Sequence, residues 1–323
     1  LRIVEPQLSI SKDGSNISNT GQDPVAGDEI HYIITLTPSS GAEFSDAWNI
    51  SLVDQLDPGL EYVTTSTPTT SAGSIAAPTI TVDGGTNAQT LTWAVGNGTD
   101  PGTANINVAE TGGPVVIEYT VRVRNTVQAA QVLTNAVEVK WTGQDGAGPN
   151  GFERDGSDGA GGLNDYVNSD SFDVTIAEGL TAFAKSRSGD TYNTGDNIVR
   201  VGDIIEYTLT LTLSEGLTSG VTVIDDLPDG LEYLEATIHG VTGGPGTTFS
   251  AVPPFSHVDI APTFDGDRIT FFNGVHITNA GDGILPLTDD LVISYRARVR
   301  DAAAFAATPT IQNPPDNTAT LDY

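Results

Sequence analysis

A chain of 323 residues has room for two domains, each large enough to bury its own core. Its 42 acidic residues against 13 basic ones give a formal charge of −29, the wrong sign for association with nucleic acid or anionic lipid. Cysteine is absent, which excludes a disulfide framework and a thiolate metal site.

Glycine (36) and proline (18) are frequent, and threonine, valine and isoleucine recur, the composition of an all-β protein rich in turns. No apolar run is long enough to span a bilayer, and no signal peptide is evident. The missing initiator methionine predicts a processed chain or an excised piece of a longer one.

In chain order, the first predicted strand is Leu8-Ser9-Ile10-Ser11-Lys12. Alternation puts Lys12 on the apolar face with Leu8 and Ile10, a costly position unless something there neutralises the amine or reacts with it. Gly27-Asp28 then opens a strand ending Tyr32-Ile33-Ile34-Thr35-Leu36. Trp48, Ile50 and Leu52 lead inward to Asp54, and Asp57-Pro58-Gly59 turns the chain, proline presetting φ and glycine taking a conformation other residues avoid. In Ile117 to Arg124 the arginines alternate with inward Val121 and Val123 and are expected to face water. Asn135 shares parity with Val137, Val139 and Trp141, whereas Lys140 has the opposite parity and is expected to face solvent.

A glycine- and aspartate-rich excursion at about 142–170 follows, then a short strand predicted over Ser171 to Ile176. Asp145, Asp155 and Asp158, with Asp165 and Asp170, offer oxygen ligands of the type calcium prefers, although the spacing matches no EF-hand or nonapeptide pattern. A polar loop held by Asx-turns is the alternative.

The same order of motifs then returns. Thr181-Ala182-Phe183-Ala184-Lys185 repeats the first strand. Gly202-Asp203 opens a strand through Tyr207 to Leu211. Val223 to Tyr233 repeats Leu52 to Tyr62 without a gap and places Asp225 at the position of Asp54. Ile293 to Arg300 repeats Ile117 to Arg124, and Asn317 stands where Asn135 does. The chain therefore reads as two tandem immunoglobulin-like β-sandwich domains, residues 1–178 and 179–323. Arg2 to Pro6 precede Lys12 as Thr175 to Gly179 precede Lys185. Residues 1–4 are thus expected to be the tail strand of a preceding repeat, or a strand donated to a neighbour.

Each repeat thereby places three polar residues on its apolar face: Lys12, Asp54 and Asn135, then Lys185, Asp225 and Asn317. Burial disfavours charge, so the lysines are candidates for neutral, nucleophilic amines and the aspartates for protonated acids. A buried Lys–Asp ion pair with asparagine as a hydrogen-bond partner is the unreactive alternative. Asp226 and Asp316, adjacent to two of these residues, have the opposite parity. The histidines (His31, His239, His257, His276) show no metal spacing.

The Gly-Asp-x-x-x-Tyr strand, the Asp-x-Leu-x-x-Gly-Leu-x-Tyr segment and the closing Asn-Ala or Asn-x-Ala resemble the repeat domain of large bacterial and archaeal surface proteins. They also resemble the CnaA-type isopeptide-forming domains of fimbrial and adhesin proteins. The resemblance covers nearly the whole chain twice. In the second copy Pro228-Asp229 stands where the first has Asp57-Pro58. The resemblance implies an immunoglobulin-like sandwich in which a strand lysine bonds covalently to an asparagine, assisted by an acid. Carried over, Lys12 joins Asn135 with Asp54 as the acid, and Lys185 joins Asn317 with Asp225.

The expected function is that of an extracellular, cell-surface structural segment (fibre, pilus-like or adhesin stalk). Its partners are neighbouring repeats or identical subunits, head to tail, by strand donation. It needs no cofactor, and the crosslink is a single self-modification with no enzymatic turnover. The alternative is a calcium-stabilised adhesin module that binds carbohydrate or protein through the excursion or the Gly240 to Pro262 loops, with Phe249 and Phe255 as stacking surface.

Overall fold

In a computed structural model the described residues are 3–64, 69–70, 76–94, 108–109, 111–144, 154–156, 166–190, 199–228, 230–242, 249–252, 262–265, 267–280, 288–301 and 318–322. They are all-β, and among them no helix is long and apolar enough to cross a membrane. Two compact units emerge. The first comprises 1–24, 28–124 and 131–176; the second comprises 25–27, 125–130 and 177–323. The division between the repeats thus falls at Ile176/Ala177, and two short segments inside the first repeat's sequence group with the second unit.

The first unit contains β1 (Leu8–Asn16), β2 (Glu29–Pro38), β3 (Trp48–Gln55), β4 (Leu60–Tyr62), β5 (Thr69–Thr70), β6 (Thr79–Val82), β7 (Gln89–Ala94), β8 (Val115–Val123), β9 (Val132–Thr142) and β10 (Val167–Thr175). One sheet runs β1-β2-β8-β4, with β5 also on β8, and the other runs β10-β9-β3-β7-β6, an immunoglobulin-like arrangement of two antiparallel sheets. Period-2 alternation accounts for the faces. In β2, Ile30, Tyr32, Ile34 and Leu36 are buried while the residues between them are not. Each such side chain contributes about 1.5–3 kcal/mol by leaving water.

The second unit contains β11 (Leu180–Asp190), β12 (Ile204–Ser214), β13 (Gly216–Asp226), β14 (Leu231–Thr242), β15 (Phe249–Val252), β16 (Thr263–Asp265), β17 (Arg268–Asn279), β18 (Thr288–Val299) and β19 (Thr318–Asp322). Its sheets run β11-β12-β18-β14 and β15-β17-β13-β19, with β16 also on β17. The correspondence is β1 with β11, β2 with β12, β3 with β13, β8 with β18 and β9 with β19. The turn before β12 needs a left-handed residue, which Gly202 supplies at φ 92°, as Gly27 does at φ 90° before β2. After each of these glycines the aspartate carbonyl accepts from the partner strand, Asp28 from Val123 N–H and Asp203 from Val299 N–H, both at 2.8 Å.

One expectation changes. The strand after the excursion starts at Val167, earlier than the predicted Ser171, because Val167 to Asp170 pair with Lys140 to Val137 in the β9 ladder. That strand, β10, follows β9, which carries Asn135, and forms the sheet edge. Ile3 and Val4 lie outside any strand and are exposed, while Glu5 makes an isolated bridge to Phe44. The arginines of β8 and β18 do face outward, where Arg122 pairs with Glu29 and Arg296 with Glu235, exposed pairs that contribute little to stability.

Candidate functional site

Register brings the first site together. Lys12 on β1 lies opposite Ile34 on β2, and Tyr32, two residues earlier on the same face, lies opposite Tyr119 on β8. On the facing sheet Asp54 of β3 lies opposite Val137 of β9, so Asn135 is its diagonal same-face neighbour. The cluster therefore spans the sandwich, with Lys12 and Tyr119 from one sheet and Asp54 and Asn135 from the other.

Lys12 is 6% exposed, and Asp54 and Asn135 are fully buried. Lys12 Nζ donates to Asp54 Oδ2 at 2.5 Å and to the Tyr119 hydroxyl at 2.7 Å. Asn135 Nδ2 donates to the same hydroxyl at 3.0 Å, and that hydroxyl donates to Asp54 Oδ2. Tyr119 thus uses its one donor and two acceptor positions, all on members of the predicted triad. Three buried polar atoms of the cluster are left over: Asp54 Oδ1, Asn135 Oδ1 and the Tyr32 hydroxyl. A proton on Asp54 would turn one of them into a donor.

The electrostatics favour that proton. Burial lowers the Lys12 pKa from 10.5 to about 8, outweighing the attraction of Asp54 and Asp170. Burial likewise raises the Asp54 carboxyl, against the opposing pull of Lys12 and the Tyr119 hydrogen bond. Both shifts favour moving a proton from amine to carboxylate, turning two buried charges into a neutral amine and a neutral acid. Burial also pushes the Tyr119 and Tyr32 hydroxyls up, so both stay protonated. Around the amine the Tyr32 and Tyr119 rings stack at 5.6 Å, with Nζ 4.9 and 5.3 Å from their centroids.

β10 closes the edge of this site. Asp170 Oδ2 accepts the Lys12 backbone N–H at 2.7 Å, and Asn168 donates to the Leu8 carbonyl at 3.2 Å. Phe172, opposite Asn135 in the ladder, meets the Tyr32 ring edge-on at 6.2 Å. Asp170, among the expected calcium ligands, caps the edge of β1 through its bond to Lys12 N–H. Asp155 is exposed, while Asp145, Asp158 and Asp165 lie outside the described residues. Among the described residues no group of three or more acidic or histidine side chains could hold a metal ion.

The second unit repeats part of this arrangement. Lys185 Nζ donates to both oxygens of Asp225, at 2.8 and 2.6 Å, and the Tyr295 hydroxyl donates to Asp225 Oδ2 at 2.6 Å. Tyr207 and Tyr295 stack at 5.1 Å as Tyr32 and Tyr119 do. Burial again lowers the lysine and raises the aspartate. The Lys185 side chain keeps 13% of its exposure, against none for Lys12. Asn317 lies outside the described residues, as do Phe255 and the Phe249 side chain of the expected loop surface. Asp226, next to Asp225, points outward and pairs with Arg268 at 2.8 Å.

Neither the known family models nor the curated proteins include a match to this chain. Solved structures similar to it include the C-terminal domain of the Streptococcus pyogenes antigen I/II-family protein AspA, at 11% identity and TM-score 0.28, covering 98% of this chain and 95% of that one. Another is the full-length major pilin SpaD from Corynebacterium diphtheriae, at 16% identity and TM-score 0.33, covering 84% and 51%. A third is the 35 kDa C-terminal fragment of the major pilin GBS80 of Streptococcus agalactiae, at 11% identity and TM-score 0.34, covering 85% and 79%.

Sequence reasoning missed the two tyrosines. Tyr119 and Tyr295 sit at equivalent inward positions of the duplicated Ile-x-Tyr blocks, so the signal was present, but an inward tyrosine on a β-strand reads first as core. The capping role of β10 had no signal, because it depends on two sheet edges meeting.

Proposed function

We propose that this chain is a load-bearing segment of an extracellular fibre, stalk or adhesin whose repeats lock themselves with an amide bond between lysine and asparagine. One observation carries the reading: Lys12, Asp54 and Asn135 share a buried cluster, with the amine and the amide nitrogen both bonded to one hydroxyl. Neutral Lys12 Nζ attacks Asn135 Cγ, Asp54 as the acid polarises the carbonyl oxygen, and ammonia leaves. Holding the groups in contact inside the fold stands in for an external catalyst. Lys185, Asp225 and Asn317 are assigned the same roles in the second repeat.

A bare ion pair accounts less well for the cluster. It leaves Asp54 Oδ1 and Asn135 Oδ1 unpaired in the core, and it keeps two charges where burial disfavours both. The surface assignment draws on the tandem sandwich repeats, the cysteine-free acidic composition and the resemblance of the repeat motifs to surface-protein domains. A bond between strands of opposite sheets suits such a setting, since it carries load that hydrogen bonds would otherwise bear.

Intact-mass spectrometry of the full chain is the test. The expected mass is the sequence mass less one ammonia per crosslinked repeat, with Lys12→Ala restoring the first and Lys185→Ala the second. A mass equal to that of the sequence would overturn the reading.

A further inference from the structure

We propose that Tyr119 is a catalytic residue of the crosslinking step in the first repeat, relaying a proton between the attacking and leaving nitrogens; Tyr295 is assigned the same role in the second repeat from its matching bond to Asp225. The inference rests on the crosslink reading and adds to it a group that the Lys–Asp–Asn triad does not contain.

The geometry of Tyr119 is what that transfer requires. When Nζ forms its bond to Cγ and the Cγ–Nδ2 bond breaks, one hydrogen must pass from Nζ to Nδ2, so that the products are an amide N–H and ammonia. The Tyr119 oxygen lies 2.7 Å from Nζ and 3.0 Å from Nδ2. It therefore takes the hydrogen from Nζ while handing its own to Nδ2, and ends unchanged. In the resting cluster that hydrogen is directed at Asp54. Once Asp54 has taken the first proton from Lys12, rotation about the phenolic C–O bond swings it toward Nδ2. The balance closes: five hydrogens on the two nitrogens at the start become one on the amide, three on ammonia and one on Asp54, whose proton leaves with ammonia as ammonium.

Asp54 cannot readily serve both ends of the reaction. Its Oδ2 already accepts from Lys12 and from Tyr119 and is where the Lys12 proton arrives, while Asn135 Nδ2 is held by the Tyr119 hydroxyl. A second group is needed for the leaving nitrogen, and the Tyr119 hydroxyl already holds it. In the second repeat the Tyr295 hydroxyl makes the equivalent bond to Asp225 at 2.6 Å, and Lys185 Nζ lies over the same ring. The duplication of a buried tyrosine hydroxyl on the acid, together with the lysine, argues for a function beyond filling core volume.

The test uses the full chain carrying Lys185→Ala, so that the first repeat is the sole source of ammonia. The protein is made in a cell-free system and sampled over time by intact mass. Tyr119→Phe keeps the ring and removes the hydroxyl with its bonds to Lys12, Asp54 and Asn135; it is expected to slow ammonia loss about a hundredfold, the low end for general acid–base catalysis. Near-UV circular dichroism and melting of Tyr119→Phe, compared with Lys12→Ala, report whether it folds. If it does not, Tyr295→Phe in a Lys12→Ala background tests the same relay in the second repeat. A folded tyrosine variant that loses ammonia at its parent's rate overturns the relay and leaves the crosslink standing. A parent chain that never loses ammonia removes both, so the two failures are distinguishable.

Discussion

The side-chain nitrogens of Lys12 and Asn135 donate to one acceptor, the hydroxyl of Tyr119, at 2.7 and 3.0 Å. The two residues sit on opposite sheets, and the tyrosine comes from the centre of one of them. A covalent bond formed there would tie β1 to β9 through the middle of the sandwich, and the consequences can be measured.

Asn135→Ala removes the acceptor carbonyl and with it the proposed bond. Closing a loop of roughly a hundred residues stabilises a domain by about 4–5 kcal/mol in the chain-entropy model. The first repeat of the variant is therefore expected to melt about 10 °C or more below wild type. Scanning calorimetry of both chains checks this, and coincident first-repeat transitions would contradict it.

Asp54→Asn keeps the shape of the side chain and removes the acid. The first repeat is expected to retain its ammonia, and the buried Lys12, with no carboxylate beside Nζ, is left uncompensated. Breaking a buried pair from one side costs about 3–5 kcal/mol. Mass and urea unfolding measure the two effects separately.

The pH response distinguishes amine from amide. In the uncrosslinked Asn135→Ala chain, Lys12 keeps a titratable amine with its pKa near 8, against an ordinary 10.5, because burial outweighs Asp54. Between those values the unfolded state binds more protons than the folded one, so the Lys12 contribution to stability rises with pH. It is smallest below about pH 8 and fully regained above about 10.5. In the crosslinked chain the nitrogen is an amide and does not titrate there. The melting deficit of the variant relative to wild type should narrow from pH 8 upward; a constant deficit would mean that Lys12 does not titrate in this range.

Gly14 stands opposite Tyr32 in the β1–β2 ladder, where the second repeat has Arg187 opposite Tyr207. A Cβ at position 14 would come within 2.9 Å of the Tyr32 ring and 3.1 Å of Phe172. Gly14→Ala is therefore expected to cost about 1–3 kcal/mol by overpacking. In the Asn135→Ala background it should also raise the reactivity of Lys12 toward an amine reagent. Unchanged melting and labelling would show that the rings yield freely.

Force separates the bond from the strand beyond it. β10 pairs with β9 outside the loop that a Lys12–Asn135 bond would close. Pulled from its ends, the crosslinked first repeat should release only the chain from Asn135 to Ile176, about 140 Å at roughly 3.4 Å per residue. Lys12→Ala should release everything from position 12 onward, about 560 Å at the same rise. Single-molecule extension measures the difference directly.

Strand parity alone determined much of this protein. Alternation is a local property of an extended chain, so the inward positions of Lys12, Asp54 and Asn135 were legible from their neighbours, and duplication marked Lys185 and Asp225 in the same way. The outward-facing Asp226 was legible by the same rule. Tertiary structure decided which inward residues meet, since that depends on how two sheets face each other and on the register of strands far apart in sequence. It made Tyr119 a hub where the pattern offered only a core aromatic. It placed Asp170 as a cap on Lys12 N–H, and it closed the first site with β10, leaving Lys12 more deeply buried than Lys185. A period-2 pattern specifies a face, and the partner across the core follows only from packing.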